Sequence, residues 1–428
     1  MELTRLSESR PSVNTERVVV GVDVGTTKIS TLVGEVGPGE DVNIIGVGVE
    51  PSQGLSRGTV VDVSLATEAV RAAKRQAERT SGYEIGRAYV SVAGKHVLSI
   101  NSRGVTGLNP NRGAVDQTDI ERALEAARAV ALPHNQEVIH VIPRTFTVDG
   151  QDGIRNPLGL HAYRLEVEAH IITAGSSSLL NLEKCINDAG LSVDRFVLNP
   201  LASGESVLTE AERESGVVVV DIGGGTTDIA VFIEGTVWHT AVIEVGGNHI
   251  TNDIAQVLHL PVAEAERVKI EHGNSLPETV NPDTIITIQP FGEDMPTQLM
   301  AHDLSQIIEA RVDEIFTLVV QELKRSGYDG LLPAGIVLTG GTALLRNIRH
   351  NASRVMHMPA RVAYPQHLTG LKDKLESPIH ATGAGLLHFA RRLDTGGKLD
   401  QRPRRQKREG PDIGKALGEF FGRLLPDE

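Results

Sequence analysis

The chain has 428 residues, 40% of them apolar and 23% charged, with 44 Gly, 20 Pro and a formal net charge of −13. At roughly 150 residues per domain this is two to four compact units, and the composition excludes wholesale disorder, collagen and a coiled coil. Eight basic and two acidic residues between 391 and 408 leave −19 on the remainder, and so acidic a body argues against a nucleic-acid binder, which needs a basic face.

Residues 1–16 read as disordered and lack the apolar core of a signal peptide. From Arg17 the text VVVGVDVGTTKISTLVGEV is strand, tight turn, strand. A third strand follows over 43–49, then a helix over 64–78 with apolar residues at Leu65, Ala69, Ala72, Ala73 and Ala77. Residues 86–168 look like a small α+β insertion, with strands over 88–92, 97–100, 137–142 and 164–172. Its helix, over 118–130, opens with Thr118-x-x-Glu121, a capping box that would satisfy free backbone N–H groups. A helix over 178–189 precedes LSVDRFVLNPLASGES. At Val217 the opening pattern returns as VVVVDIGGGTTDIAVFIEG, 198 residues after its first copy, which suggests two related halves. Pairing the two Thr-Thr dipeptides requires a two-glycine insertion in the second copy. A Pro-rich loop over 276–297, a long helix over 303–325 and the strand, Gly-Gly turn and helix of AGIVLTGGTALLRNIRH complete the body. No apolar run approaches the ~18 residues of a membrane span. The single cysteine, Cys185, cannot form an intrachain disulfide, so a soluble cytosolic chain is expected.

Both Thr-Thr turns follow an apolar strand that carries an aspartate near its end, Asp23 and Asp221. Gly25 and Gly223, Gly224 and Gly225 let backbone approach a ligand closely and point N–H groups at it. Thr26, Thr27, Thr226 and Thr227 add hydroxyl donors, Lys28 adds a cation for a phosphate, and the two aspartates could hold Mg²⁺ directly or through water. That set is what a nucleoside triphosphate with its metal requires. Neither loop is a Walker A sequence or a GxGxxG, and either alone could be an ordinary hairpin that needs glycine for its turn. Two copies with matching aspartates, and a third Gly-Gly turn at Gly340-Gly341, argue against that reading. HExxH, CxxC and GxSxG are absent, and the 15 histidines are scattered.

These loops match the actin-like ATPase superfamily. Beyond them, VNIIGVG, SVAGKHV, VIHVIPRTFTVDGQDGIRNPLGL, LASGESVLTEAERESG and ATGAGLLH make the chain resemble the FtsA family of bacterial cell-division proteins almost end to end. The resemblance implies an α/β, actin-like two-domain fold of duplicated RNase-H-like halves, with the α+β insertion and a C-terminal amphipathic helix. The first half would be 17–85, 169–197 and 368–390. The second would be 198–367, with a smaller subdomain at 236–300. ATP would bind between them, Gly25 to Lys28 and Gly223 to Thr227 forming the phosphate loops. Gly340, Gly341 and Thr342 would border the adenine, and Glu266 and Lys269 would contact ribose and adenine, although the pair also reads as an exposed i,i+3 ion pair. For hydrolysis, Asn199 could orient a water but is no base, and Glu205, a turn further on, reads equally as a helix-surface charge; slow hydrolysis is expected, with ATP chiefly an assembly ligand. The insertion would contribute to filament contacts between copies, and residues 236–310 would dock the C-terminal peptide of the tubulin-like ring protein FtsZ.

The end of the chain carries its own argument. Beyond a basic linker over 391–410, residues 411–426 place Ile413, Ala416, Leu417, Phe420, Phe421, Leu424 and Leu425 on one helical stripe. Gly414, Gly418 and Gly422 each cost up to ~1 kcal/mol of helix stability, so the segment should fold only against an apolar surface. It could pack back on the body, but the neighbouring RPRRQKR suits anionic lipid headgroups. Burial of seven side chains gives roughly 10–15 kcal/mol, and ordering a dozen residues costs ~1–2 kcal/mol each, so one tail binds weakly and a filament binds by avidity. The expectation is a filament on the cytoplasmic face of the membrane at the division septum that tethers FtsZ and recruits other divisome proteins. The alternative is a soluble sugar- or acetate-type kinase, which would need a catalytic acid near Asn199 and has no use for the tail. A chaperone-type ATPase would need a substrate domain that the last 38 residues are too few to form.

Overall fold

The computed structural model describes residues 17–394 apart from 38, 109–113, 131 and 294. The expected disordered N-terminus, most of the basic linker and the amphipathic helix with Ile413, Leu417, Phe420, Phe421, Leu424 and Leu425 lie outside the described residues.

Two sheets of like topology form the body. In the first, β1 (Arg17–Val24) pairs antiparallel with β2 (Lys28–Val36) and parallel with Arg87–Val92. The full order runs 192–198, 87–92, β1, β2, 42–51 and 368–370. In the second, β3 (Val217–Ile222) pairs antiparallel with β4 (Thr227–Ile233) and parallel with Ile336–Thr339. Strands 236–243 and 360–362 complete the second sheet at its two edges. Every residue of β3 is buried, as are Val19 to Val24 of β1, because helices cover both faces of each sheet. The second core is filled by the long helix Ala301–Ser326 through Leu304, Ile308, Val312, Ile315, Phe316 and Val319.

The insertion is a four-stranded antiparallel sheet, in the order 97–107, 164–175, 136–148 and 151–154, with the helix Gln117–Arg128 packed against it. Its limits differ from the expected 86–168. Strand 87–92 belongs to the first sheet, where Ala88, Tyr89, Val90 and Val92 are buried, whereas the strand from Arg164 continues to Gly175 inside the insertion. The helix is capped by Asp116 and Asp119, not by Thr118 and Glu121. Each aspartate carboxylate accepts the other's backbone N–H, so the helix begins before Thr118 and leaves that residue no capping role. The 276–297 segment is not loop throughout. Ile285–Ile288 and Thr297–Met300 form a hairpin in which Ile286 and Ile288 are buried and Ile285 and Thr287 exposed.

Two helices cross where the halves meet. α1 (Asn199–Val207) packs on β3 and β4, and α2 (Ala381–Asp394) packs on β1 and β2. α2 runs four residues into the segment expected as linker. A Cβ on Gly385 of α2 would overlap the Ala202 carbonyl oxygen of α1, so the two backbones touch.

Candidate functional site

A cavity of about 440 Å³ opens between the halves. From the first half it is lined by Asp23, Gly25, Thr26, Thr27 and Lys28. From the second it is lined by Asn199, Asp221, Gly223, Gly224, Gly225, Thr226, Asp228, Glu266, Lys269, Gly340, Gly341 and Thr342. This volume suits a small organic ligand.

The two turns are built alike. The Gly25 N–H donates to the Lys28 carbonyl at 3.0 Å, and the Gly223 N–H donates to the Thr226 carbonyl at 2.9 Å. Strand register fixes the correspondence: Asp23 sits opposite Ser30 and Val24 opposite Ile29, as Asp221 sits opposite Asp228 and Ile222 opposite Thr227. The turns are therefore of equal length, and the two-glycine insertion expected from the sequence does not exist. Gly224 and Gly225 stand where the first turn has Thr26 and Thr27, and Thr226 stands where it has Lys28. Thr227 corresponds to Ile29. It is wholly buried, and its hydroxyl donates to the Val245 carbonyl at 2.7 Å, so it offers no side chain to the cavity as a phosphate-loop donor would.

The turns also face each other closely. A Cβ on Gly224 would overlap Thr27 Oγ1, and one on Gly225 would lie 2.7 Å from Thr26 Oγ1. Gly340 has φ of +86°, and a Cβ there would overlap the Asp221 carboxylate. Glycine at these positions is required by approach, not only by the turn.

Three carboxylates converge beneath the turns. Asp23 accepts from the Ser91 hydroxyl at 3.1 Å and has Lys28 Nζ at 3.5 Å. Asp221 accepts from the Thr382 hydroxyl at 3.0 Å. Burial, reinforced by the charge of Asp23, pushes the Asp221 carboxyl up to about 6. Asp228 is raised well above the ordinary carboxylate value by burial and then by the charge of Asp221, against donation from Thr226 and Asn199. Its Oδ1, Asn199 Oδ1 and Lys28 Nζ are buried without a hydrogen-bond partner. A cationic metal among the carboxylates and an anionic oxygen at Lys28 would satisfy this set. Among the described residues no three His, Cys, Asp or Glu side chains are placed to hold a metal by themselves. Mg²⁺ at Asp23 and Asp221 would thus need phosphate and water oxygens as well, the usual habit of that ion.

Glu266 and Lys269, on the helix Val262–His272, reach the same cavity. Their ion pair is 2.7 Å long, and Lys269 Nζ also donates to the Gly247 carbonyl at 3.1 Å and the Thr251 hydroxyl at 2.8 Å. The pair is thus a wall of the site as well as an i,i+3 contact. Thr342 donates from its hydroxyl to the Gly223 carbonyl at 3.1 Å, tying the Gly-Gly turn to the second hairpin. Ile250, Ile270, Leu344, Leu345 and Ile379 give the cavity an apolar side. No spacing rule in the sequence singles these out.

Glu205 does not reach the cavity. Asn199 opens α1 at the cavity, and six residues of helix carry Glu205 about 9 Å further along the axis. There it pairs with Arg213 at 3.1 Å and Arg392 at 2.9 Å. Burial works to raise its carboxyl, but the two guanidinium charges outweigh burial and hold it below the ordinary value. It is an ion-pair anchor between α1 and α2, not a group for hydrolysis.

Comparison with known proteins agrees with this architecture. Residues 218–385 match the family model "Cell division protein FtsA", and residues 94–173 match "SHS2 domain inserted in FTSA". The chain is 42% identical to the cell division protein FtsA of Pseudomonas aeruginosa over 90% of its own length and 92% of that protein's. It is 38% identical to the FtsA of Bacillus subtilis, covering 88% of this chain and 84% of that one. Among solved structures it resembles a PilM–PilN type IV pilus biogenesis complex, with a TM-score of 0.63 and 15% identity over 87% of this chain and 98% of that one. It also resembles MreB5 of Spiroplasma citri bound to ADP, with a TM-score of 0.55 and 14% identity over 89% and 98% of the two chains. The fold is actin-like, two duplicated halves with an inserted subdomain, and the chain belongs to the FtsA family of cell division proteins.

Proposed function

We propose that this cell division protein binds ATP with Mg²⁺ between its halves and polymerises on the cytoplasmic face of the membrane at the division septum. There it anchors the C-terminal peptide of FtsZ and helps recruit other division proteins. One observation carries the nucleotide reading: two matched glycine turns face each other over three buried carboxylates, with Lys28 Nζ buried and lacking a hydrogen-bond partner at their mouth. Gly25 to Lys28 and Gly223 to Thr226 would take the phosphates, and Asp23 and Asp221 the hydrated Mg²⁺. Gly340 to Thr342, Glu266 and Lys269 would border ribose and base beside the apolar wall. Structures titled as MreB5 bound to ADP and to AMPPNP share the fold and support the reading. Mg²⁺ supplies charge neutralisation of the phosphates, and Lys28 and the turn amides orient them.

Membrane attachment rests on the amphipathic stripe at 411–426 and the basic run before it, since no helix among the described residues is long and apolar enough to cross a membrane. FtsZ docking on 236–310 and filament contacts through the insertion are part of the same proposal and are carried over from the resemblance alone. The test is co-sedimentation with anionic liposomes, with and without Mg-ATP, of the intact chain and a truncation at Asp400. Pelleting of the intact chain alone, increased by Mg-ATP, is the expected result. If both forms stay in solution under every condition, the tether is wrong.

A further inference from the structure

A short hairpin of the first half reaches across to the second. Leu55–Ser56 pairs with Thr59–Val60, and Arg57 and Gly58 form its two-residue tip. The Gly58 N–H donates to Thr26 Oγ1 at 3.1 Å, and a Cβ on Gly225 would lie 3.0 Å from the Arg57 Cα. The tip therefore rests on both glycine turns at once, and Gly58 and Ala93 are part of the cavity wall. Both tip residues have positive φ, +47° at Arg57 and +75° at Gly58, the mark of a type I′ turn. Asn-Gly is the pair such a turn favours, because asparagine tolerates the left-handed region and arginine gains nothing there. A locally unfavourable residue held where two ligand loops meet points to a task for its side chain.

Charge identifies the task. Among the described residues three cationic side chains line the cavity, and each is already committed. Lys28 has Asp23 at 3.5 Å, Lys269 has Glu266 at 2.7 Å, and Arg346 donates to the Glu271 carbonyl at 3.2 Å. Arg57, one residue from the cavity wall, is exposed and has no hydrogen bond or ion pair with any described residue. We propose that Arg57 lays its guanidinium on the terminal phosphate of a bound nucleoside triphosphate, and so distinguishes a triphosphate from a diphosphate. The inference rests on the nucleotide reading above and goes beyond it, since nothing in that reading separates ATP from ADP. The tip meets the turns that would hold the phosphates, whereas the apolar wall for the base lies on other elements of the second half. A guanidinium is planar and always charged, and two of its N–H groups can meet two oxygens of one phosphate. The hydrogen bond from Gly58 to Thr26 anchors the backbone of the tip and leaves the side chain free to fold inward. With a diphosphate bound, the guanidinium has nothing to reach and stays in water.

The test uses the full-length chain and titrates Mg-AMPPNP and Mg-ADP separately by calorimetry, with the melting temperature of the nucleotide-free protein measured alongside. Arg57→Asn should weaken binding of the triphosphate analogue by about tenfold and leave Mg-ADP within about twofold of the parent. The same substitution should raise the melting temperature by about 1 °C, because it gives the turn its favoured Asn-Gly pair, so the lost affinity is not a loss of fold. Arg57→Lys keeps the charge without the paired N–H groups, and its loss for the triphosphate should be about threefold. Triphosphate affinity of Arg57→Asn within about twofold of the parent overturns the proposal. So does an equal loss for both nucleotides, which makes the tip a part of the cavity's shape and not a reader of the terminal phosphate. If the parent binds neither nucleotide, the nucleotide reading itself has failed, and the parent titrations show it before any variant is compared.

Discussion

The hairpins β1–β2 and β3–β4 have the same length, the same turn hydrogen bond and an aspartate at the same place, yet they present different chemistry. The first turn carries side chains: two threonine hydroxyls and a lysine. The second carries almost none, with Gly223 to Gly225 offering backbone and Thr226 standing where the lysine would be. Opposite the aspartate the first hairpin has the buried Ser30, and the second has Asp228. The reason for the bare turn is visible in the packing, because Thr26 and Thr27 occupy the space that side chains at 224 and 225 would need. A duplicated device has thus been divided, one copy supplying cation and hydroxyls, the other backbone amides and acid. Equal backbone geometry does not imply equal roles.

The largest expected effect on this contrast is at Lys28. Lys28→Ala should weaken Mg-ATP binding by about 100-fold in calorimetric titration, since the second hairpin has no cation at the matching position. An effect under threefold would sink the division of labour. Next comes Gly224→Ala, whose methyl would overlap Thr27 Oγ1, and a loss of affinity of about tenfold is expected, the result of steric strain between the turns. Combining it with Thr27→Gly should recover most of that loss, and failure to recover would mean that the turns do not approach as described. The pH dependence is of similar size. Asp221 titrates near 6 in the nucleotide-free protein and must be ionised to meet a metal, so Mg-ATP affinity should fall by about tenfold from about pH 7.5 to about pH 5. The sign for stability is opposite. A carboxyl raised from 3.8 favours the folded state below the unfolded value and loses that contribution as pH rises through 6. Without nucleotide, Asp221→Asn should therefore raise the melting temperature at neutral pH and lose that advantage near pH ~4. Smallest is Thr227→Val, which should leave affinity within about twofold because the side chain points into the sheet; a larger change would restore Thr227 to the ligand.

What the sequence could reveal depended on how far each signal was local. The duplicated halves followed from two long apolar strands with aspartates at matching places, a pattern that only buried central strands produce. Pairing the copies by their Thr-Thr dipeptides misplaced everything after the turn, because hydrogen-bonded register counts backbone positions and not residue identities. The same error hid Asp228. Glu205 looked catalytic because it is near Asn199 in sequence, but helix rise carries it to another site, where it meets Arg213 from the next helix and Arg392, which is remote in the chain. The hairpin in 276–297 was masked by Pro277, Pro282, Pro290 and Pro296, although Ile286 and Ile288 alternate with exposed neighbours. The apolar wall of the cavity comes from several separate elements, and no single stretch of text contains it.

The contact of Gly385 with the Ala202 carbonyl has a mechanical consequence. A crossing cushioned by side chains can slide or compress by repacking rotamers, whereas backbone against backbone has nothing to yield. At that point sliding of one half against the other is resisted more than rotation, as at the pivot of a pair of scissors. The Glu205 ion pairs lie on one side of the rivet and the cavity between the halves on the other. The two sites are levers of unequal purpose on a common axis, and a few degrees of opening at the turns must be matched by a turn of the helix from which the rest of the chain departs.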